Sequence, residues 1–138
     1  MFRARVRDFL HREVPVLLDG ISDTLTRATA YRSALSGAGL AGLTIPRAYG
    51  GQGLSEVHEQ VFNEEAAVTA PAEDKLFGLG VGILLPSLVD LGAERLGAEF
   101  GPGILSGELL SCQMFSEPEA GSDLFGLRTR AVPDGEGG

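Results

Sequence analysis

The stretch that most limits how this chain can fold is Cys112 to Asp123, CQMFSEPEAGSD, because helical spacing gives out there. Leu109, Leu110, Cys112, Met114 and Phe115 form a short apolar run that predicts a strand, and Ser116 puts a hydroxyl at its end. Glu117-Pro118 is a stop: proline lacks an N–H and biases the residue before it toward extended geometry. Ala120-Gly121-Ser122-Asp123 then carries no bulky side chain to shield the backbone. Such a corner lets amide N–H groups and a serine hydroxyl approach an anion or a polar ring edge; the same composition also suits an ordinary surface loop. Beyond it, residues 126–132 alternate enough for a second strand, and Pro133-Asp134-Gly135 signals a turn.

Everything before this stretch reads as helical. Phe2, Val6, Phe9, Leu10 and Leu17, with Arg3, Arg5, Arg7 and Arg12 between them, predict an amphipathic helix stopping near Pro15, its basic face solvated. Ser22 or Asp23 is placed to cap a second helix with Leu25, Ala28, Tyr31, Leu35 and Ala38 inside, ended by Gly39. A buried connector, Leu40 to Pro46, leads to Tyr49-Gly50-Gly51-Gln52-Gly53. This loop lacks the Gly-Lys-Ser/Thr ending of a P-loop and the strand-turn-helix frame of a dinucleotide site, so its glycines read as tight turns between packed helices. Ser55 heads a third helix with Val57, Val61, Phe62, Ala66 and Val68 inside, ending before Pro71. From Leu76 to Leu91, Gly78, Gly80 and Gly82 permit close approach of a helix or a ligand, and Pro86 should kink or restart the helix. Glycines at 92, 97, 101, 103 and 107 then divide the chain into two short helical pieces, 93–100 and 102–105.

Charge narrows the function. The chain has 11 basic and 19 acidic residues, net −8, with no Lys/Arg cluster, which argues against nucleic acid as a partner. The uncharged run Leu76 to Val89 has 14 residues, short of the roughly 20 that a membrane span needs. The start, MFRARVRDFL, lacks the apolar core of a secretory signal, so a cytoplasmic protein is expected. The single cysteine, Cys112, is expected as a buried small hydrophobe. His11, His58 and the pair Glu64-Glu65 have no metal-ligand spacing, so no metal is expected.

Cys112 to Val132, CQMFSEPEAGSDLFGLRTRAV, resembles the flavin-lining segment of the acyl-CoA dehydrogenases, where a strand end runs into Glu-Pro-x-Ala-Gly-Ser-Asp. GLAGLTIPRAYGGQGLS at Gly39 to Ser55 and the stretch Gly78 to Gln113 resemble the same family in the same order, so the likeness covers most of the chain. The resemblance implies a mainly α fold: an N-terminal all-helical domain over 1–108, then over 109–138 the first strands of an incomplete antiparallel β domain. It implies FAD as cofactor, contacted by Gln113, Met114, Phe115, Ser116, Glu117, Pro118, Glu119, Ala120, Gly121 and Ser122, with Ser122 also touching an acyl-CoA substrate. Ser116 stands where threonine is usual and keeps its hydroxyl; Glu119 replaces a frequent glycine; Gly97 and Ala98 stand where relatives carry several Lys or Arg.

The implied reaction removes a proton alpha to a thioester carbonyl while the beta hydrogen leaves as hydride to FAD, which needs a carboxylate base. In the family that base and the Trp-x-Thr strand over the flavin lie beyond position 138, so no catalytic residue is expected here. Glu117 reads as a structural position, without the raised pKa of a substitute base. The expected function is therefore the N-terminal portion of an FAD-dependent acyl-CoA dehydrogenase, inactive alone and completed by a C-terminal dehydrogenase portion or a homo- or hetero-oligomer. The alternative is a non-catalytic helical interaction module that no longer binds flavin.

Overall fold

Val6, Phe9, Leu10, Val14 and Leu18 recur at spacings of three and four. In the computed structural model, which describes residues 1–133 and Gly135, they line the buried side of a continuous rod. α1 (Phe2–Asp8) passes through a π-helical turn (Phe9–Glu13) into α2 (Val14–Leu18), so the stop expected near Pro15 does not occur. In a regular helix the proline ring collides with the carbonyl four residues back. Here the Val14 N–H donates to the Phe9 carbonyl, five back, and the wider turn gives the ring room.

α3 (Thr24–Gly37) starts where its cap is strongest. The Asp23 carboxylate accepts from the Thr26 N–H at 2.8 Å and the Thr26 hydroxyl at 2.6 Å, which hold its pKa below the usual range, the hydroxyl contributing most. Gly39 follows with φ of +63°, the left-handed geometry that ends helices. Ala28, Tyr31, Arg32 and Leu35 are buried; Leu25, expected inside, is about half exposed. The glycine loop folds back on the connector: Gln52 N–H donates to the Gly42 carbonyl and Leu54 N–H to that of Leu43. A Cβ at Gly51 would stand 2.2 Å from the Ile45 carbonyl oxygen, so the tight-turn reading of this loop holds.

α4 (Glu56–Ala66) begins after Ser55, but the Ser55 hydroxyl meets His58 Nδ1 at 2.9 Å instead of a backbone amide. Val57 and Val68, expected inside, are exposed. What α4 turns toward α1 is charge: Glu65, buried, takes Arg7 Nε and Nη2 at 3.0 and 2.9 Å and Arg3 Nη1 at 2.8 Å. Glu64 takes Arg3 Nη2 at 2.6 Å. The basic face stays exposed as expected, but two of its arginines, Arg3 and Arg7, reach across to α4, while Arg12 pairs with Asp8 on its own helix. The Arg7 fork, then Arg3, drives the Glu65 carboxyl down to about 2. Among the described residues no group of side chains could hold a metal ion.

After a 3₁₀ segment (Ala72–Phe77), the π device recurs: Gly80–Leu84 is π-helical, Leu85 N–H donates to the Gly80 carbonyl, and α5 (Leu85–Asp90) restarts at Pro86 as expected. α6 (Glu94–Ser106) is one helix running through Pro102, not the two pieces expected. Packing overrides its poor propensity. Gly97 and Gly101, one turn apart, form a groove that receives Tyr49, while Ile104 and Leu105 are buried in the core. Leu10, Leu85 and Leu105 are almost wholly buried, each burial contributing about 1.5–3 kcal/mol.

Past α6 no strand forms among the described residues, which corrects the expected strands at 109–115 and 126–132. One isolated bridge, Glu117 to Ala120, is what remains of β pairing. A strand holds its shape through a ladder with a neighbour, and these two segments do not pair with each other. Leu110, Met114, Phe115, Leu124, Phe125 and Val132 are exposed as a result, and Cys112, expected buried, is exposed with them. The turn expected at Pro133-Asp134-Gly135 lies in part outside the described residues, at Asp134. No helix among the described residues is long and apolar enough to cross a membrane.

Candidate functional site

Small residues decide where the chain goes after α6. Gly107, at φ +79°, turns it back, and the Leu109 N–H donates to the Gly103 carbonyl at 3.0 Å. A Cβ at Gly103 would stand 2.8 Å from a Leu109 methyl, and one at Gly80 would stand 2.8 Å from the Ser111 hydroxyl. The chain therefore lies directly on the glycine side of the Gly80–Leu84 turn. Cys112, Gln113, Met114 and Phe115 consequently face Leu79, Ile83, Leu84 and Ser87 across a cleft of about 320 Å³. The Ser87 hydroxyl donates back to the Ile83 carbonyl at 2.8 Å, leaving this wall mostly apolar.

The remaining predicted contacts sit on the loop that follows. Glu117 N–H donates to the Ala120 carbonyl at 2.9 Å and Ala120 N–H returns to that of Glu117 at 3.1 Å, closing a four-residue turn. Ala120 is buried, whereas Ser116, Pro118, Glu119, Gly121 and Ser122 are exposed. A Cβ at Gly121 would meet nothing within 4 Å, so the corner is open on that side. The Glu117 carboxylate accepts from the amides of Arg128 and Thr129 at 2.9 and 2.7 Å and from the Thr129 hydroxyl. Led by that hydroxyl, these bonds hold its pKa below the usual carboxylate range, the wrong direction for a base.

Sequence reasoning named the Gln113–Phe115 side of the cleft residue by residue, and for the other side only the run 76–91 as one that a helix or a ligand could approach, without singling out Leu79, Ile83, Leu84 and Ser87. The apolar density of 76–91 was the available signal, with one face of that run turned to the cleft. A second cavity of about 390 Å³ lies between α3, the connector and α4, with Arg32, Asp74, Asn63 and Glu59 on its walls. Arg32 Nη2 donates to Asp74 Oδ2 at 2.8 Å, and its Nε lies 2.6 Å from Oδ1. Burial pushes the Asp74 carboxyl up, with Arg32 opposing, and pushes the neighbouring Tyr31 phenol up as well.

Residues 1–108 match the family described as Acyl-CoA dehydrogenase, N-terminal domain. The chain belongs to the acyl-CoA dehydrogenase family. The chain is 36% identical to acyl-CoA dehydrogenase IpdE1 of Mycobacterium tuberculosis, over 98% of its own length and 37% of that relative. It is 40% identical to (2S)-methylsuccinyl-CoA dehydrogenase of Cereibacter sphaeroides, over 75% of its length and 19% of the relative. Among solved structures it resembles a chain of the ChsE4-ChsE5 complex of Mycobacterium tuberculosis, with a TM-score of 0.60 and 28% identity over 97% of its length and 34% of that chain. The chain thus spans about a third of the lengths of IpdE1 and of the ChsE4-ChsE5 chain.

Proposed function

We propose that the chain forms the N-terminal part of an FAD-dependent acyl-CoA dehydrogenase, which introduces an α,β double bond into an acyl-CoA thioester once other segments complete it. The supporting observation is the cleft between Leu79–Ser87 and Cys112–Phe115, which runs into a loop with two exposed serine hydroxyls and an unobstructed face at Gly121. That combination suits FAD: Met114 and Phe115, 87% and 66% exposed, offer apolar area to a flat ring, and Ser116 and the amides at the corner offer polar partners for its edge.

In this reading Gln113 to Ser122 hold the FAD and Ser122 also contacts the acyl-CoA. Bound there, FAD supplies the acceptor for the hydride that leaves the beta carbon. Within this chain the residues bind and orient: Leu79, Ile83 and Leu84 exclude water from the acyl group, and the serines fix the ring edge. The alpha proton goes to a carboxylate supplied outside this chain, because the Glu117 oxygens are occupied by the Arg128 and Thr129 donors, which lower their affinity for a proton. Residues 1–108 act as the helical domain, and 109–138 open a β domain whose strands pair with chain supplied by a C-terminal portion or a partner subunit.

The test is reconstitution. The purified chain mixed with a polypeptide supplying the remaining dehydrogenase domains should acquire the visible flavin absorbance and reduce an artificial electron acceptor when an acyl-CoA is added. A mixture that forms a complex yet shows neither flavin nor turnover would refute the proposal in favour of a non-catalytic interaction module.

A further inference from the structure

Glu117 stands inside the stretch proposed to touch FAD, yet its carboxylate is occupied by its own chain. Oε2 accepts from the Arg128 N–H at 2.9 Å, and Oε1 accepts from the Thr129 N–H at 2.7 Å and from the Thr129 hydroxyl. Its backbone meanwhile closes the turn with Ala120 in both directions. One residue therefore ties down both ends of the loop that carries Gly121 and Ser122. Inside the loop the supports are local: Ala120 is buried, Gly126 N–H donates to the Asp123 carbonyl at 3.1 Å, and Leu124 and Phe125 are exposed. A loop with so little packing of its own keeps one shape only where its ends are held.

We propose that Glu117 is a positioning residue: its ionised carboxylate latches Ala120 to Thr129 into a closed loop and so holds the Gly121–Ser122 corner in the shape that receives FAD. The receiving role rests on the FAD reading above; the latch does not. Hydrogen bonds from two amides and a hydroxyl to a carboxylate are charge-assisted, and here all three donors belong to the chain itself. A loop held by its own bonds makes a preformed site, which gains affinity over a flexible one. The low pKa direction of Glu117 is a consequence of the same bonds.

The test compares the wild-type chain with Glu117→Ala, Glu117→Gln and Thr129→Val, with the exposed Glu99→Gln as control. Two readouts apply: amide hydrogen exchange of the ¹⁵N-labelled, flavin-free chain, and FAD affinity from the visible absorbance shift. In Glu117→Ala the Arg128 and Thr129 amides should exchange about tenfold faster or more, while those of Leu10 and Tyr31 stay unchanged and report an intact core. Glu117→Gln, which keeps one carbonyl acceptor without the charge, should fall between, and FAD affinity should drop in the same order, about tenfold for the alanine variant. Unchanged exchange at Arg128 and Thr129 in Glu117→Ala overturns the latch. Faster exchange with unchanged FAD affinity overturns the positioning role. Wild-type chain that takes up no FAD even with the remaining dehydrogenase domains added overturns the flavin reading, and the receiving role with it, a result distinguishable because exchange still reports on the latch.

Discussion

Replacing Gly97 with alanine puts a methyl group where the Tyr49 ring lies. The new Cβ would stand 1.7 and 1.8 Å from the ring's Cδ1 and Cε1, against about 3.5–4.0 Å for carbons in contact. The ring has little freedom to slide along α6, because the Tyr49 carbonyl oxygen already stands 2.2 Å from the place of a Cβ on Gly101. The variant must expel the ring or lift the Arg47–Tyr49 turn off the helix. An aromatic side chain buries about 150–250 Å², which at about 25 cal/mol/Å² amounts to about 4–6 kcal/mol as an upper limit. A compact unfolded chain trims that figure, and the better helix propensity of alanine returns about 1 kcal/mol, leaving a loss of about 2–4 kcal/mol. With an unfolding entropy of about 2.1 cal/mol/K per residue, the 138 residues give a fall in Tm of about 7–14 °C. Urea and thermal unfolding followed by circular dichroism read this directly. With the ring removed, Gly97→Ala should cost nothing, so the double variant with Tyr49→Ala should be at least as stable as Tyr49→Ala alone. A single variant within about 0.5 kcal/mol of wild type, or a double variant showing the sum of both losses, would refute the reasoning.

Glu65 has a folded pKa of about 2 against an ordinary 4.5, so the stability it contributes is present above about 4.5 and lost as pH falls toward about 2. Glu65→Gln should flatten the acid limb of a stability–pH curve, and an unchanged limb would count against the Arg3–Arg7 clamp. Arg32→Ala leaves the Asp74 carboxylate beside a cavity without its partner, at a cost of about 3 kcal/mol by urea unfolding, and should raise the Asp74 pKa further in an NMR titration. Asp23→Ala removes the α3 cap and should cost about 1 kcal/mol, whereas Ser22→Ala, beside it, should cost little.

What the sequence showed and what it concealed divide by distance along the chain. The Asp23 cap, the left-handed Gly39 and the restart at Pro86 act within one turn of the residue concerned, and each is visible as a local signal. Pro15 was misread because proline excludes only the regular turn; a π turn escapes that exclusion, and nothing local announces it. Gly101 looked like a helix break until the Tyr49 backbone, far off in sequence, was seen to pack on its face. The burial expected of Val57 and Val68 came from periodicity alone, which cannot reveal that α4 meets α1 through Glu65 and two arginines. At the candidate site, Gln113 to Ser122 were legible as a motif. The direction of the Glu117 carboxylate was not, since it depends on Arg128 and Thr129 returning to the turn. The strands failed because pairing belongs to two segments at once.

The central claim, that the corner after Met114 is built to lie against a flavin, is tested most directly by titrating FAD to millimolar concentration into the ¹⁵N-labelled chain and mapping the amide shifts. The account predicts shifts concentrated at Gln113 to Ser122 and across the cleft at Leu79, Ile83 and Ser87. Shifts confined to another surface, such as the Val16–Leu17 side of α2, or none at all, would contradict it.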